Sequence, residues 1–300
     1  MKILIYGAGV IGTLYAALLS EAGYNVTLYA RGTRLKSLKN AGLLYSQRGR
    51  IKRANVNIIG ELEKKALYDF IFLPVRENQV HQALKELYNN ISPNIVTMVS
   101  TLESYSNWEA ICGKGRIIPA FPGAGGYFDG NILNAALTPR ILQPTTFAEI
   151  SGKKTKRLVQ LAAIFRCARI PCQIVKDMHI WQLCHLAMVV PIADAYYATE
   201  IPERAGIDKK MMLHTARQIK TNFSLLADTG IRLSPPKMNL FRYIPIPIFS
   251  IVLSSIFQSR FGNVFMYQHS MKAPDEMRAL HEQFYGYIEK LSYKYGKMQN

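Results

Sequence analysis

Short apolar runs alternate with longer segments of mixed polarity through the first half of the chain. The runs have the length and composition of strands, and the segments between them show helical periodicity or turn residues. The predicted strands are KILIYG, NVTLYA, VNIIG, DFIFLPV, NIVTMVS and RIIPAF, followed by a last strand, IPCQIV. Because nearly every position in these runs is apolar, the pattern predicts a parallel sheet that helices cover on both faces.

The pattern changes after residue 175, where long helical periodicity replaces the strand alternation. We therefore predict an α/β domain over residues 1–175 and an all-helical domain over 176–300, which would bind a substrate or form a dimer. One long helix is predicted over residues 177–197.

Glycines follow the first predicted strand with the spacing G-x-G-x-x-G, at the start of an apolar helix. The first glycine allows a tight turn, the second lets a pyrophosphate approach the backbone, and the third lets the helix pack closely on the strand. With a strand before it and a second strand after the helix, the motif predicts a Rossmann-type dinucleotide site rather than a merely structural turn. The expected cofactor-binding residues of this loop are Gly7, Ala8, Gly9, Val10, Ile11 and Gly12.

The end of the second predicted strand indicates which dinucleotide binds. NAD sites usually place a carboxylate there for the ribose 2′-hydroxyl, whereas NADP sites place an arginine nearby for the 2′-phosphate. No acidic residue lies between Glu21 and Glu61, and Arg31 stands at the strand end, followed by Arg34 and Lys36. A solvated basic helix start would explain Lys36 but not the missing acid. The pattern therefore favours NADP, with Arg31 binding the 2′-phosphate.

Composition narrows the class of protein. With 49% hydrophobic and 19% charged residues, the chain is typical of a globular protein with an ample core. The first strand begins at Met1 without a basic and apolar leader, so we expect a cytoplasmic protein. The four cysteines lack CxxC spacing and paired histidines, so neither a metal site nor a disulfide framework is expected.

The net charge of +17 would suit nucleic acid, anionic lipid or acidic small molecules. Because the basic residues are scattered through both halves without a dense run, we expect no nucleic-acid partner. The apolar stretch IPIPIFSIVLSSIF, residues 244–257, is too short to span a membrane. A buried helix or a subunit contact, as in a homodimer, is favoured over an interfacial anchor.

Three stretches resemble the ketopantoate reductase (2-dehydropantoate 2-reductase) family: KILIYGAGVIG, LYARG and YDFIFLPVRENQV. Family members begin K-I-x-I-x-G-x-G-x-x-G, have a second strand ending in A-R, and have V-K-x-x-Q after the fourth strand. The resemblance implies an NADP-binding Rossmann-type domain followed by an all-helical domain, with the substrate bound between them. We expect Pro74 and Val75, in the third stretch, to contact the cofactor as well.

The chain departs from the family where the family's catalytic residues stand. Arg76 replaces the lysine of V-K-x-x-Q, and STLES replaces a following Q-N-G-L whose asparagine faces the nicotinamide. In the helical half, WQLCHLA replaces W-x-K-L-x-x-N, which puts Leu183 in place of the catalytic lysine and Ala187 in place of an asparagine. No carboxylate lies between Asp228 and Asp275 to serve as the family's substrate-orienting glutamate. Reduction of 2-dehydropantoate itself is therefore in doubt.

A histidine offers a replacement for the missing proton donor. Gln182 and His185 lie three positions apart on the helix over residues 177–197, so they share a face. We predict His185 as the general acid, because histidine titrates nearest neutrality, with Gln182 and Arg76 fixing the carbonyl and any substrate carboxylate. A buried histidine that is merely hydrogen-bonded is the alternative. Lys176 is a weaker candidate donor.

The glycine-rich segment FPGAGGYFDG fits either a close approach to a ligand or an ordinary strand turn, and Glu149 near it is a candidate for orienting a ligand hydroxyl. Two functions remain open at this point. One is an NADPH-dependent oxidoreductase acting on a small, anionic carbonyl compound. The other is a non-catalytic NADP(H)-binding sensor or regulatory protein.

Overall fold

The computed structural model describes residues 1–299, with side chains described as far as Tyr293. The chain divides into two compact units, Met1–Met178 and His179–Asn300, here called the N-terminal and C-terminal units. The boundary predicted after residue 175 lies just before this division.

A mixed sheet forms the centre of the N-terminal unit, and every predicted apolar run supplies one of its strands. Its order is β12-β11-β8-β7-β6-β1-β2-β5, and the part β5-β2-β1-β6-β7-β8 is parallel with the Rossmann strand order. Strand β11 runs antiparallel to β8. The main-sheet strands are β1 (Lys2–Tyr6), β2 (Asn25–Tyr29), β5 (Asn57–Ile59), β6 (Phe70–Leu73), β7 (Ile95–Met98), β8 (Ile117–Phe121), β11 (Thr145–Phe147) and β12 (Cys172–Ile174).

Helices cover this sheet because its central strands are apolar on both faces, as the near-continuous runs predicted. Phe165 of α5 packs its ring against Phe72 of β6 and Phe147 of β11, and Tyr15 of α1 meets the same ring edge-on. The helices of this unit are α1 (Val10–Glu21), α2 (Gly32–Ala41), α3 (Val80–Tyr88), α4 (Tyr105–Cys112) and α5 (Lys156–Cys167), with a 3₁₀ turn at Glu77–Gln79.

A second, four-stranded sheet in this unit escaped the sequence analysis. Its order is β4-β3-β10-β9, built from β3 (Leu43–Gln47), β4 (Arg50–Ala54), β9 (Ala124–Asp129) and β10 (Ile132–Leu137). The segment FPGAGGYFDG contains the last residue of β8 and all of β9. A Cβ at Gly126 would lie 2.3 Å from the Asn134 backbone oxygen, so this glycine allows close strand pairing. The ordinary strand role therefore accounts for the glycine-rich segment.

The described residues of the C-terminal unit form helices joined by turns and loops, with no strand, as predicted. Its helices are α6 (Met178–Tyr197), α7 (Lys209–Asp228), α8 (Ile246–Phe257), α9 (Gln268–Lys272) and α10 (Pro274–Gln299). Shorter 3₁₀ segments lie at Pro202–Ile207 and Pro236–Arg242, and a π-helical turn lies at Gly262–Tyr267. The Asp208 carboxylate caps α7 by accepting a hydrogen bond from the Met211 backbone N–H at 3.0 Å.

Helix α8 coincides with the apolar stretch IPIPIFSIVLSSIF. One face of it is buried, through Phe249, Leu253 and Phe257, whereas Ile248 and Ile251 on another face are exposed. The buried-helix prediction is therefore correct for only part of its surface. Within residues 1–299, no single helix is long and apolar enough to cross a membrane; Pro236–Arg242 and α8 pass that test only as a pair bent by 119°.

Candidate functional site

The glycine loop between β1 and α1 has the geometry that the sequence spacing predicts. Gly7 has a φ of +123°, which side-chain-bearing residues rarely adopt. A Cβ at Gly12 would lie 1.9 Å from the Gly7 backbone oxygen, so only glycine lets α1 start this close to the loop. At Gly9, by contrast, nothing lies within 4 Å of a Cβ position. The loop therefore leaves open space beside its middle glycine, at the N-terminus of α1.

Pro74 and Val75 lie beside this loop. The Pro74 backbone oxygen and the Val75 side chain are each 3.6 Å from the Cβ position of Gly7. They follow β6, and β1 lies between β2 and β6, where the winding of the sheet reverses. Open α/β sheets bind their ligands at this reversal, outside the carboxyl ends of the strands. The structure thus brings the predicted residues of both segments to one edge of the sheet.

Arg31 lies at the end of β2 but is engaged by protein groups. Its Nε donates to the Tyr29 hydroxyl at 2.6 Å, and a terminal guanidinium nitrogen contacts both the Tyr6 hydroxyl and the Glu86 carboxylate. Glu86 belongs to α3, and it also accepts from Gln82 at 3.1 Å. The sequence pattern does not reveal this partner, because Glu86 is far from Arg31 in the chain. Arg31 therefore has a carboxylate counter-ion within the protein itself.

Arg34, on the first turns of α2, contacts the glycine loop directly. Its Nε donates to the Ala8 backbone oxygen at 3.3 Å, and its Cζ lies 4.2 Å from the centre of the Phe128 ring. One terminal nitrogen is buried and has no hydrogen-bond partner among the described residues. Burial lowers the pKa of this guanidinium, although an arginine this basic stays charged. A buried donor without an acceptor destabilises the folded protein, because its lost hydration is not replaced by a hydrogen bond.

The residues at this edge fit a dinucleotide. Helix α1 has no capping side chain and no acidic residue in its first turn, so its N-terminal N–H groups suit a phosphate. The space beside Gly9 would admit the pyrophosphate, and the unpaired nitrogen of Arg34 offers a charged donor beside Ala8. No group of three or more His, Cys, Asp or Glu suited to a metal occurs in the part of the chain described.

His185 lies inside the C-terminal unit, on α6. Its ring is only 6% exposed and stacks on the Trp181 indole, with 5.2 Å between ring centres. Burial, with a smaller contribution from nearby His269, lowers the pKa of His185 to about 3. The ring is therefore neutral at pH 7, and it can donate a hydrogen bond but does not hold an extra proton. Gln182, one helical turn before it, is buried too.

The helix positions where the family has its lysine and asparagine are part of the core. Leu183 and Ala187 are both 0% exposed. The Ala187 backbone oxygen accepts a hydrogen bond from the Asn222 side chain at 3.1 Å, which ties α6 to α7. Further along α6, Asp194 meets His281 of α10 at 3.0 Å, and burial raises the pKa of Asp194 above its ordinary value.

Two other predicted residues lie in the N-terminal unit. Arg76 is exposed and directly precedes the 3₁₀ turn after β6. Glu149 is instead a structural residue: it forms a buried ion pair with Arg157 and accepts a hydrogen bond from Thr155. Burial alone would raise the pKa of Glu149, but these hydrogen bonds outweigh it and lower the pKa. These contacts fix the start of α5, and they account for Glu149 without the predicted role of orienting a ligand.

Comparison with known proteins identifies the N-terminal fold. Residues 3–132 match the family model of ketopantoate reductase PanE/ApbA. Most of the N-terminal unit is therefore similar to a ketopantoate reductase domain. The predicted resemblance is confirmed over this range, which contains the glycine loop, Arg31, Arg34 and Arg76. No curated protein sequence matches the chain significantly.

Solved structures resemble the chain over nearly its whole length. D-mandelate dehydrogenase in complex with NADH is 16% identical, with a TM-score of 0.68, over 99% of this chain and 93% of the other. A structure from Ralstonia solanacearum that is named as a candidate ketopantoate reductase is 14% identical, with a TM-score of 0.66, over 98% of each chain. The 2-dehydropantoate 2-reductase from Methylococcus capsulatus is 16% identical, with a TM-score of 0.61, over 98% of this chain and 97% of the other. These likenesses, all at 14–16% identity, show the fold.

Proposed function

We propose that this protein is an NADP(H)-dependent oxidoreductase that reduces a small, anionic carbonyl compound other than 2-dehydropantoate. The family match and the NADH-bound structural relatives support nicotinamide chemistry at the glycine loop. When bound, the nicotinamide would supply or accept a hydride. The net charge of +17 favours an anionic substrate.

The observation that supports NADP is the Arg34 guanidinium, which lies beside the glycine loop and has no carboxylate partner among the described residues. A phosphate would give this cation a charged acceptor, whereas a hydroxyl would leave the positive charge uncompensated. Arg31 is also within this edge of the sheet, but a phosphate would have to compete with Glu86 for it. We therefore assign the main 2′-phosphate contact to Arg34 and a secondary one to Arg31.

The proposed catalytic residues are His185, Gln182 and Arg76. Because burial and His269 keep His185 neutral at pH 7, its part would be to donate a hydrogen bond to the carbonyl oxygen rather than to act as a charged acid. Gln182 would orient the same carbonyl through its amide. Arg76 would bind a carboxylate of the substrate, since its guanidinium can form two parallel hydrogen bonds.

The burial of Leu183 and Ala187 favours a second candidate, a non-catalytic NADP(H)-binding sensor. A general acid typically contributes about 10²–10⁴-fold to a rate, so loss of the family lysine removes much of the known chemistry. Such a protein would bind NADPH as tightly as an enzyme does, but would not oxidise it.

Titration of nicotinamide fluorescence with the protein tests the cofactor assignment. We expect NADPH to bind much more tightly than NADH, and Arg34→Ala to weaken NADPH binding by about 1.5–3 kcal/mol while leaving NADH nearly unchanged. Arg31→Ala serves as the matched variant and should have a smaller effect. Equal affinities of the intact protein for NADPH and NADH would refute the assignment to NADP.

NADPH oxidation with a panel of small 2-oxo acids separates the enzyme from the sensor. We expect turnover with at least one anionic member and little or none with 2-dehydropantoate. Robust reduction of 2-dehydropantoate would contradict the substrate proposal, and tight NADPH binding without any turnover would favour the sensor.

A further inference from the structure

One face of α8 consists of apolar side chains exposed to solvent. Ile248, Ile251 and Val252 are 56%, 67% and 47% exposed. Their spacing of three and four residues places them together on one side of the helix. The opposite side buries Phe249 and Leu253 against the unit's core, so α8 is already packed without its exposed isoleucines.

Two more apolar side chains are exposed in the chain just before α8. Leu240 and Tyr243 are also strongly exposed. We call the set Leu240, Tyr243, Ile248, Ile251 and Val252 the α8 surface. Scattered single apolar side chains are ordinary on a protein, but a group of this size within a short stretch of chain indicates a binding surface.

Positive charges border the α8 surface. The Arg242 guanidinium carbon lies 5.7 Å from the centre of the Tyr243 ring, and the Lys220 ammonium donates to the Ile244 backbone oxygen at 3.1 Å. Asp228 offsets part of the Arg242 charge. Residues 200–273 contain ten Lys or Arg and only four Asp or Glu, and residues 229–273 contain no acidic residue. The stretch of chain that carries the surface is therefore cationic.

The charge decides between the two classes of occupant. A second copy of this chain placed symmetrically on the α8 surface would bring the same cations face to face, which opposes association. A layer of anionic lipid headgroups would instead neutralise them and accept the isoleucines below the headgroup level. Tyr243, with an apolar ring and a polar hydroxyl, is of the type found at the boundary between headgroups and acyl chains.

We propose that the α8 surface docks the protein on an anionic lipid surface, with α8 lying in the plane of the interface. With 12 residues, α8 is too short to span the hydrocarbon layer alone, so it would insert only its exposed face. This docking is independent of the dinucleotide site.

Flotation of the full-length protein with vesicles tests the proposal. We expect it to float with vesicles of phosphatidylcholine mixed with phosphatidylglycerol, to stay behind with phosphatidylcholine alone, and to be released as the salt concentration rises. Ile251→Asp should weaken binding about tenfold or more, because it places a charge where the proposal inserts an apolar side chain.

Ile91→Asp is the matched control, since Ile91 is 59% exposed in the N-terminal unit and the change in charge is the same. It should bind vesicles like the unchanged protein, and circular dichroism should show both variants folded. Equal weakening by the two variants would mean that net charge alone attracts the protein, which overturns the proposal. Absence of flotation with anionic vesicles also overturns it. A concentration-dependent dimer in ultracentrifugation that Ile251→Asp dissociates, without vesicle binding, would assign the surface to a second copy instead.

Discussion

The two units differ in what defines their predicted functional residues. In the N-terminal unit, the site is defined by backbone geometry: the positive φ of Gly7, the close contact at Gly12 and the open space beside Gly9. In the C-terminal unit, the predicted residues are single side chains, and Leu183 and Ala187, at the positions predicted for a family lysine and asparagine, are fully buried. Backbone cradles tolerate divergence in sequence, because many side chains are compatible with one loop. A proton donor is lost with a single substitution.

The largest effect is expected from restoring the family lysine in the C-terminal unit. Leu183→Lys would place an ammonium group in a fully buried position, and burying an unpaired charge is among the costliest of substitutions. We expect the free energy of unfolding in urea to fall by about 4 kcal/mol. The volume-matched Leu183→Met should cost less than about 1.5 kcal/mol. A Leu183→Lys protein as stable as the parent would show that this position is accessible.

The corresponding test in the N-terminal unit is Gly12→Ala. The added Cβ would overlap the Gly7 backbone oxygen at 1.9 Å, and backbone has no flexible end to move aside. We expect a loss of about 1–3 kcal/mol in stability, as for other overpacked sites, together with weaker NADPH binding. Gly286→Ala on α10 is the control, because nothing lies within 4 Å of its Cβ position. That change should stabilise the helix by about 0.5–1 kcal/mol. Unchanged stability and binding in Gly12→Ala would contradict the packing role of Gly12.

The pH dependence of stability tests the state of His185. The unfolded chain takes up a proton near the ordinary pKa of 6.5, whereas the folded protein does not until about pH 3. The unfolded state therefore binds more protons in this window, and stability falls as the pH is lowered. The protonation of this histidine in the unfolded chain should lower the free energy of unfolding by about 2 kcal/mol between pH 7 and pH 5. His185→Phe should remove that slope, while a variant of the exposed His214 should keep it. An unaltered slope in His185→Phe would mean that the ring charges in the folded protein.

The sequence predicted the elements whose pattern is unambiguous. Strands such as Phe70–Leu73 are apolar at every position, and α6 is a 20-residue apolar segment, too long for a strand. The small sheet was missed because β4, with the sequence RIKRA, is an exposed and basic strand, and because its neighbour β3 pairs with β10, which is far away in the chain. The same reason applies to Arg31: its position at the end of β2 is visible in the sequence, but its pairing with Glu86 of α3 arises only when the chain folds. Burial of His185 likewise depends on neighbours that its own helix does not contain.

The smallest expected effect concerns that pairing. Glu86→Gln would remove the carboxylate that holds Arg31 while keeping a hydrogen-bond acceptor for Tyr6 and Arg31. Both members of the ion pair are partly exposed, so stability should change by less than about 1 kcal/mol. Arg31 would then be available to a phosphate without competition, and NADPH should bind about two- to fivefold more tightly, with NADH unchanged. The double variant Glu86→Gln with Arg31→Ala should lose this gain. A gain that survives in the double variant, or one that NADH shares, would show that Glu86 repels the dinucleotide as a whole rather than holding Arg31.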